Sequence, residues 1–198
     1  IDTTTGLPRE NPATRDSIKT VVKSEIAAVL ETAENEVLAQ STRVAQLYGF
    51  EVDRGVLVAQ LDDESMDSEV RVSALNALIK RKDPALAEMA LKYIEHVDTG
   101  LRSAALKALL AADVNQGITQ AIIAAETAPM VVKQQAIALL GEQSDSESAG
   151  FLEARLSAIL DGRAAANTML DVIEASRNRQ EASIQELVSK YDQSILTA

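Results

Sequence analysis

The feature that most restricts this chain is an apolar pattern that keeps returning at nearly the same interval. Val70, Ala74, Leu75 and Leu78 fall at i, i+4, i+5 and i+8. Leu101, Ala105, Leu106 and Leu109 repeat that spacing, and so do Val132, Ala136, Ile137 and Leu140. Weaker copies start at Val37 (with Ser41, Thr42 and Ala45) and at Ala165 (with Met169, Leu170 and Ile173). The five anchors are 33, 31, 31 and 33 residues apart. A fixed period in this range marks stacked supersecondary units, none of which can bury its apolar face alone.

A second set of stripes lies between the first. Ile18, Val21, Val22, Ile26, Val29 and Leu30 form one. Leu86, Met89, Ala90 and Ile94 form another, followed by Ile118, Ile122 and Ile123, then by Leu152, Leu156, Ile159 and Leu160. All follow the 3.6-residue period of an amphipathic helix, and alternation at period two is sustained nowhere. The expectation is therefore an all-α fold without a sheet. Connections of mostly three to six residues force consecutive helices antiparallel. About five helix pairs and a closing helix near 179–195 result, as a single domain over 1–198.

The punctuation agrees with this division. Asn11-Pro12 and Asp83-Pro84 read as an N-cap followed by proline in the first helical position, and Pro129 reads as another helix start. Gly49, Gly141 and Gly162 fall where a helix end needs a left-handed residue. Ala74, Ala105 and Ala136 occupy the tight stacking positions, where a small side chain lets helix axes approach closely.

Composition narrows the function classes. Only 3% of residues are aromatic and tryptophan is absent, so Ala, Leu, Val and Ile must build the core. The net charge of −11 argues against sequence-independent nucleic-acid binding, which needs Lys and Arg to neutralise phosphates. It equally disfavours docking on an anionic membrane. No apolar run is long enough for a membrane span, so no membrane insertion is expected. With no cysteine, disulfides, thiolate zinc sites and covalent haem attachment within this chain are excluded. The chain opens on Ile1 rather than Met, which reads as a processed or excised piece of a longer multidomain protein.

The best copies carry more than spacing. "DSEVRVSAL" and "DTGLRSAAL" share Asp-x-x-(Val/Leu)-Arg-x-x-Ala-Leu, through Asp67, Arg71, Asp98 and Arg102. This resembles the second helix of a HEAT repeat. The resemblance implies a right-handed α-solenoid in which the Asp and Arg of successive repeats form a ladder. In the third copy Lys133 replaces Arg and Pro129 replaces Asp, so the ladder is expected to end there. A looser resemblance is to the HEAT-like region of large planctomycete-type multidomain proteins described as membrane-bound dehydrogenases or haem-binding proteins. It is carried by "NEVLAQSTRVAQLYGF" (35–50), "AAANTMLDVIEASRNR" (164–179) and "SIQELVSKYDQSI" (183–195). It implies a dehydrogenase-like propeller before this region, a c-type cytochrome module after it, and an exported or periplasmic parent.

No constellation of catalytic residues is apparent. His96 is the only histidine, lies at a helix end and reads as a surface residue rather than a metal ligand. The run Asp62-Asp63-Glu64, with Asp67 and Glu69, lacks the glycine and the ligand spacing of a helix-loop-helix calcium site. Neither a Gly-x-Ser-x-Gly elbow nor a phosphate-cradling glycine loop occurs. No cofactor is expected. Residues 111–141 contain only three charges, Asp113, Glu126 and Lys133, in a chain that is 25% charged. Deep burial would account for this, and so would a face that meets another domain or protein. The reading is a non-catalytic interaction or spacer module for a protein partner or adjacent domains. The alternative is a HEAT-like enzyme or ligand-binding domain of the bilin-handling or DNA-repair type, which the acidic charge and the missing catalytic residues disfavour.

Overall fold

The computed structural model describes residues 51–164 and 166–196, and before them residues 17, 20–25, 28, 37, 40–42, 44 and 45. Among the described residues the fold is all-helical and contains no strand. Two compact units are present, Ile1–Leu78 and Ile79–Ala198.

In the first unit, helix α1 (Arg54–Asp62) starts at Asp53, whose side chain accepts from Gly55 N at 2.7 Å. It buries Leu57 and Leu61 completely. A buried polar pair faces it. Gln60 Nε2 donates to Thr42 Oγ1 at 2.9 Å, which satisfies groups that would otherwise be costly in an apolar interior. Helix α2 (Ser68–Arg81), which belongs to this unit as far as Leu78, buries Val70, Ala74, Leu75, Ala77 and Leu78 and ends at Lys82, a left-handed residue with φ 52°.

The second unit contains α3 (Leu86–Tyr93), α4 (Thr99–Ala112), α5 (Val114–Thr127), α6 (Met130–Gly141) and α7 (Ser146–Leu160). A 3₁₀ turn over Ala166–Thr168 leads into α8 (Met169–Arg177), and α9 (Ala182–Leu196) follows. Neighbours in sequence pack together, and so do alternate helices: α4 on α6, α6 on α8, α5 on α7 and α7 on α9. Aspartate side chains cap the starts of three of these helices. Asp98 accepts from Leu101 N at 2.7 Å, Asp113 from Gln116 N at 3.0 Å and Asp145 from Ser148 N at 2.8 Å. Each satisfies an amide that has no partner within its helix.

One continuous core runs through this unit, from Leu106 and Ile118 through Ile137, Leu140, Leu152 and Leu156 to Val172 and Ile184. Ala105 and Ala136 are completely enclosed, as Ala74 is in the first unit. Ala105→Phe is expected to overpack this core and cost about 1–3 kcal/mol. Lys107→Ala, on the exposed side of the same helix, should stay within about 0.5 kcal/mol. Equal melting temperatures for the two variants would refute the close packing at Ala105.

Four local expectations change. In the weak final copy Leu170 is 64% exposed, and the buried set is Val172, Ile173, Ala175 and Ser176. Those four match Ala136, Ile137, Leu139 and Leu140, so the register slips by three residues. The 3₁₀ turn before α8 takes up the added length. Val37, the anchor of the first weak copy, is 52% exposed, whereas Thr42 and Ala45 are buried. Asp83 does not cap α3 directly. The helix begins at Leu86, after an Asx-type turn in which Ala85 N donates to Asp83 Oδ1 at 3.0 Å. Gly141 is still helical rather than left-handed. Its missing Cβ leaves room for Ala175, whose Cα would lie 2.8 Å from such an atom.

Two expectations stand. Gly162 is left-handed with φ 67°. Pro129 immediately precedes α6 as its N-cap residue. The closing helix starts at Ala182, a few residues later than expected, because Arg179 and Glu181 are engaged in the junction before it. Asn11, Pro12, Ile18, Ile26, Val29, Leu30, Gly49 and Ala165 lie outside the described residues.

Candidate interaction surface

At the expected ladder positions, Arg71 and Lys133 bond in the same sense and Arg102 differs from them. Arg71 is buried and its Nε donates to Leu61 O, near the end of α1, at 2.9 Å. Lys133 Nζ reaches back in the same sense to Glu126 O, near the end of α5, at 2.6 Å. A cation there meets the partial negative charge and free carbonyls of a helix C-terminus. Arg102 makes no matching bond, and its Nε is enclosed without a hydrogen-bond partner among the described residues. Asp98 caps α4. The Asp67 backbone carbonyl accepts from Val70 N and Arg71 N, while its side chain is exposed. The basic side chains at Arg71 and Lys133 thus tie a helix to the end of the one before it.

The other sequence candidates occupy local roles. His96 Nδ1 accepts from Asp98 N at 3.0 Å and its ring meets the edge of Tyr93, centroids 6.0 Å apart, in the turn before α4. It is half-buried rather than freely exposed. In the acidic run, Asp63 accepts from both N and Oγ of Ser65, and those two bonds hold its carboxyl below the usual carboxylate range. Among the described residues no group of three His, Cys, Asp or Glu side chains is arranged to hold a metal ion. No described helix is long and apolar enough to cross a membrane.

Arg179 is the functional-looking side chain that sequence patterning missed. It is 3% exposed. Its guanidinium forks onto Glu181 and also donates to Leu140 O at 3.3 Å and Asp145 O at 2.9 Å. It thereby fastens the α6–α7 connection to the α8–α9 connection. An open cleft of about 540 Å³ beside it is lined by those same two connections. All its cationic surface is spent inside the fold, so its role is structural. The one available signal was an arginine beside a helix end with a glutamate two residues on, which is common on any helical surface.

Two carboxylates here set an acid sensitivity. Bonding to Arg179, foremost by its side chain, holds Glu181 below the usual range. Burial raises Asp145, but hydrogen bonding by backbone N–H groups, that of Ser148 foremost, outweighs it and the carboxyl ends below its ordinary value. A depressed folded-state pKa contributes stability that is complete above the unfolded pKa and is lost as pH falls through the folded one. Wild type should therefore melt above Glu181→Gln at pH 7, and the difference should close below about pH 4. A difference that stayed constant from pH 7 to pH 3 would contradict the assignment.

The low-charge stretch 111–141 is only partly buried. Ile118, Ala121, Val132, Ala136, Ile137 and Leu140 enter the core. Sixteen of its residues are exposed, and of these only Asp113 and Glu126 are charged. Asp113 is a helix cap and Glu126 is paired with Arg155. On α6 the exposed face reads Val131, Gln134, Gln135 and Ala138, with Val131 60% exposed. On α5 it includes Val114, Thr119, Ile123 and Thr127. Surfaces normally concentrate charge, so burial does not account for the neutrality of these positions.

Beside this face lies a pocket of about 250 Å³. Ala125, Ile137, Val172 and Phe151 supply its apolar lining, and Glu126, Lys133, Arg155, Asn167 and Thr168 its polar one. Arg155 pairs with Glu126 and lies over the Phe151 ring, 5.2 Å from the centroid. Neither a protein-family model nor a curated protein matches this chain.

Proposed function

We propose that this chain is a non-catalytic interaction module, a right-handed HEAT-like α-solenoid whose repeats hold a protein partner or adjacent domains of its own polypeptide. The observation that carries the reading is the exposed face of α5 and α6, where Glu126 is the one exposed charged side chain and is paired with Arg155. Interface cores are depleted in charge, and a neutral amide-and-aliphatic surface can be desolvated at little cost. The packing of alternate helices on one another is what stacked repeats require. Within the looser resemblance, the domains held would be a dehydrogenase-like propeller and a c-type cytochrome, and the module would set their geometry.

The test is site-specific photo-crosslinking in cells that make the native gene product. Benzoylphenylalanine placed at Val131 is expected to give a discrete polypeptide adduct. The same group at Glu95, exposed in a charged turn, is not. Adducts at neither site, or equally at both, would argue against a contact surface on α6.

A further inference from the structure

We propose that the pocket between α5, α6, α7 and the start of α8 captures the C-terminal carboxylate of a partner polypeptide whose last residue is apolar. The inference rests on the reading of the chain as an interaction module and names what that module would grip.

Size is the first argument. At about 250 Å³ the pocket falls below the roughly 300–1,000 Å³ of small-molecule and cofactor sites. It is sized for one residue of a chain rather than for a prosthetic group. Hydrogen-bonding capacity is the second. The Lys133 ammonium has three N–H donors and the Arg155 guanidinium five. Lys133 spends one on Glu126 O, and Arg155 bonds Glu126 through one terminal nitrogen. Their other donors have no partner among the described residues. Asn167 adds an exposed side-chain amide, and the Thr168 hydroxyl makes no capping bond to α8. Nearby carboxylates are already engaged: Glu126 with Arg155, and Asp171 with Gln134 Nε2 at 3.3 Å. The lining thus holds two cations, Lys133 and Arg155, against the single carboxylate of Glu126, and an ionised carboxylate is the acceptor-only group that complements the donors left over.

The apolar lining decides which carboxylate. Ile137, Val172 and Phe151 share the same small space with the cations. The ligand must therefore present a carboxylate and an apolar group from a single residue. An α-carboxylate on a terminal Leu or Val does so, and capture of chain termini is a recurring recognition mode. An internal Asp or Glu carries its charge at the tip of its own side chain and leaves the lining unfilled. The overall charge of −11 does not forbid an anion here. Charges further than about 8 Å away are screened at physiological salt, and the segment that supplies Glu126 and Lys133 is the one with fewest charges.

The experiment titrates the ¹⁵N-labelled chain with acetyl-Ser-Ala-Leu as free acid and as amide. The acid is expected to shift the Phe151, Thr168 and Met169 amide signals saturably, and the amide to bind at least tenfold more weakly. The double variant Lys133→Met, Arg155→Met should lose tenfold or more in affinity for the acid. Lys107→Met, on α4, should lose nothing. No shift at these amides, or equal shifts from acid and amide, would overturn the proposal. Equal binding of acetyl-Ala-Glu-Ala amide would overturn it too, because an internal carboxylate would then suffice. Failure here with crosslinking intact at Val131 would remove only the ligand assignment. Binding here without crosslinking would remove the α6 contact face instead.

Discussion

Arg179→Met is expected to destabilise the Ile79–Ala198 unit by roughly 3 kcal/mol, the largest effect of any single polar substitution in it. The methionine fills the volume but supplies no donor. Leu140 O and Asp145 O lose a charged partner, and Glu181 loses its fork. Glu181 is a third exposed, so its share is reduced by solvent, and most of the cost falls on the two carbonyls. For a chain of this size the melting temperature should fall by about 6–12 °C. Arg179→Lys should recover less than half of this, because an ammonium cannot reach both carbonyls and the carboxylate in a planar fork. Thermal unfolding followed by circular dichroism gives the answer. A loss under about 2 °C for Arg179→Met would mean that the clamp contributes nothing measurable.

The second large effect is one of opposite signs at three glycines. Alanine is favoured over glycine inside a helix by about 1 kcal/mol. Gly150, within α7, has nothing within 4 Å of where a Cβ would stand, so Gly150→Ala should stabilise by up to about that amount. At Gly117 the same atom would lie 2.6 Å from Leu110 Cα, and at Gly141 it would lie 2.8 Å from Ala175 Cα. Those neighbours are backbone and cannot swing aside. Overpacking by about 1–3 kcal/mol should overcome the helical preference, and both variants should melt lower than wild type. If all three alanines raise the melting temperature, the helices do not approach as closely as α4–α5 and α6–α8 do here.

These glycines also show where sequence reasoning stops. Gly141 stands at the end of an apolar stripe, and a helix-end glycine is usually there for a left-handed turn. Its actual role depends on Ala175, thirty-four residues later and in another helix. Nothing local in the sequence links the two. The final repeat fails for a related reason. Its spacing matches the period of the others, but the 3₁₀ turn at Ala166–Thr168 carries the chain further before α8 begins, and the buried face moves to Val172 and Ile173. Asp83 was legible as a helix-start residue, but two residues too close to the helix, since the Asx turn is built before the first helical hydrogen bond.

The candidate surface was half legible. The scarcity of charge over 111–141 is visible in the letters alone. Whether that scarcity reflects burial or a bare face depends on which side each residue takes. Ile137 and Ala138 are adjacent in sequence, one in the core and the other on the surface. The pocket was not legible at all, because it gathers Glu126, Phe151 and Asn167 from three separate elements.

What the sequence determined by itself is the helical class and the copies at Val70, Leu101 and Val132. The 3.6-residue period of buried side chains is a property of each helix and needs no neighbour to be read. What only the tertiary structure decided is the Arg179 clamp, the glycine close approaches, the slip in the last copy and the exposed neutrality of α6. Each of these depends on a distance between separate elements, from Leu110 to Gly117 across one helix junction or from Leu140 to Arg179 across the unit, or on which side of a helix its neighbours cover. Packing, not local propensity, sets such distances.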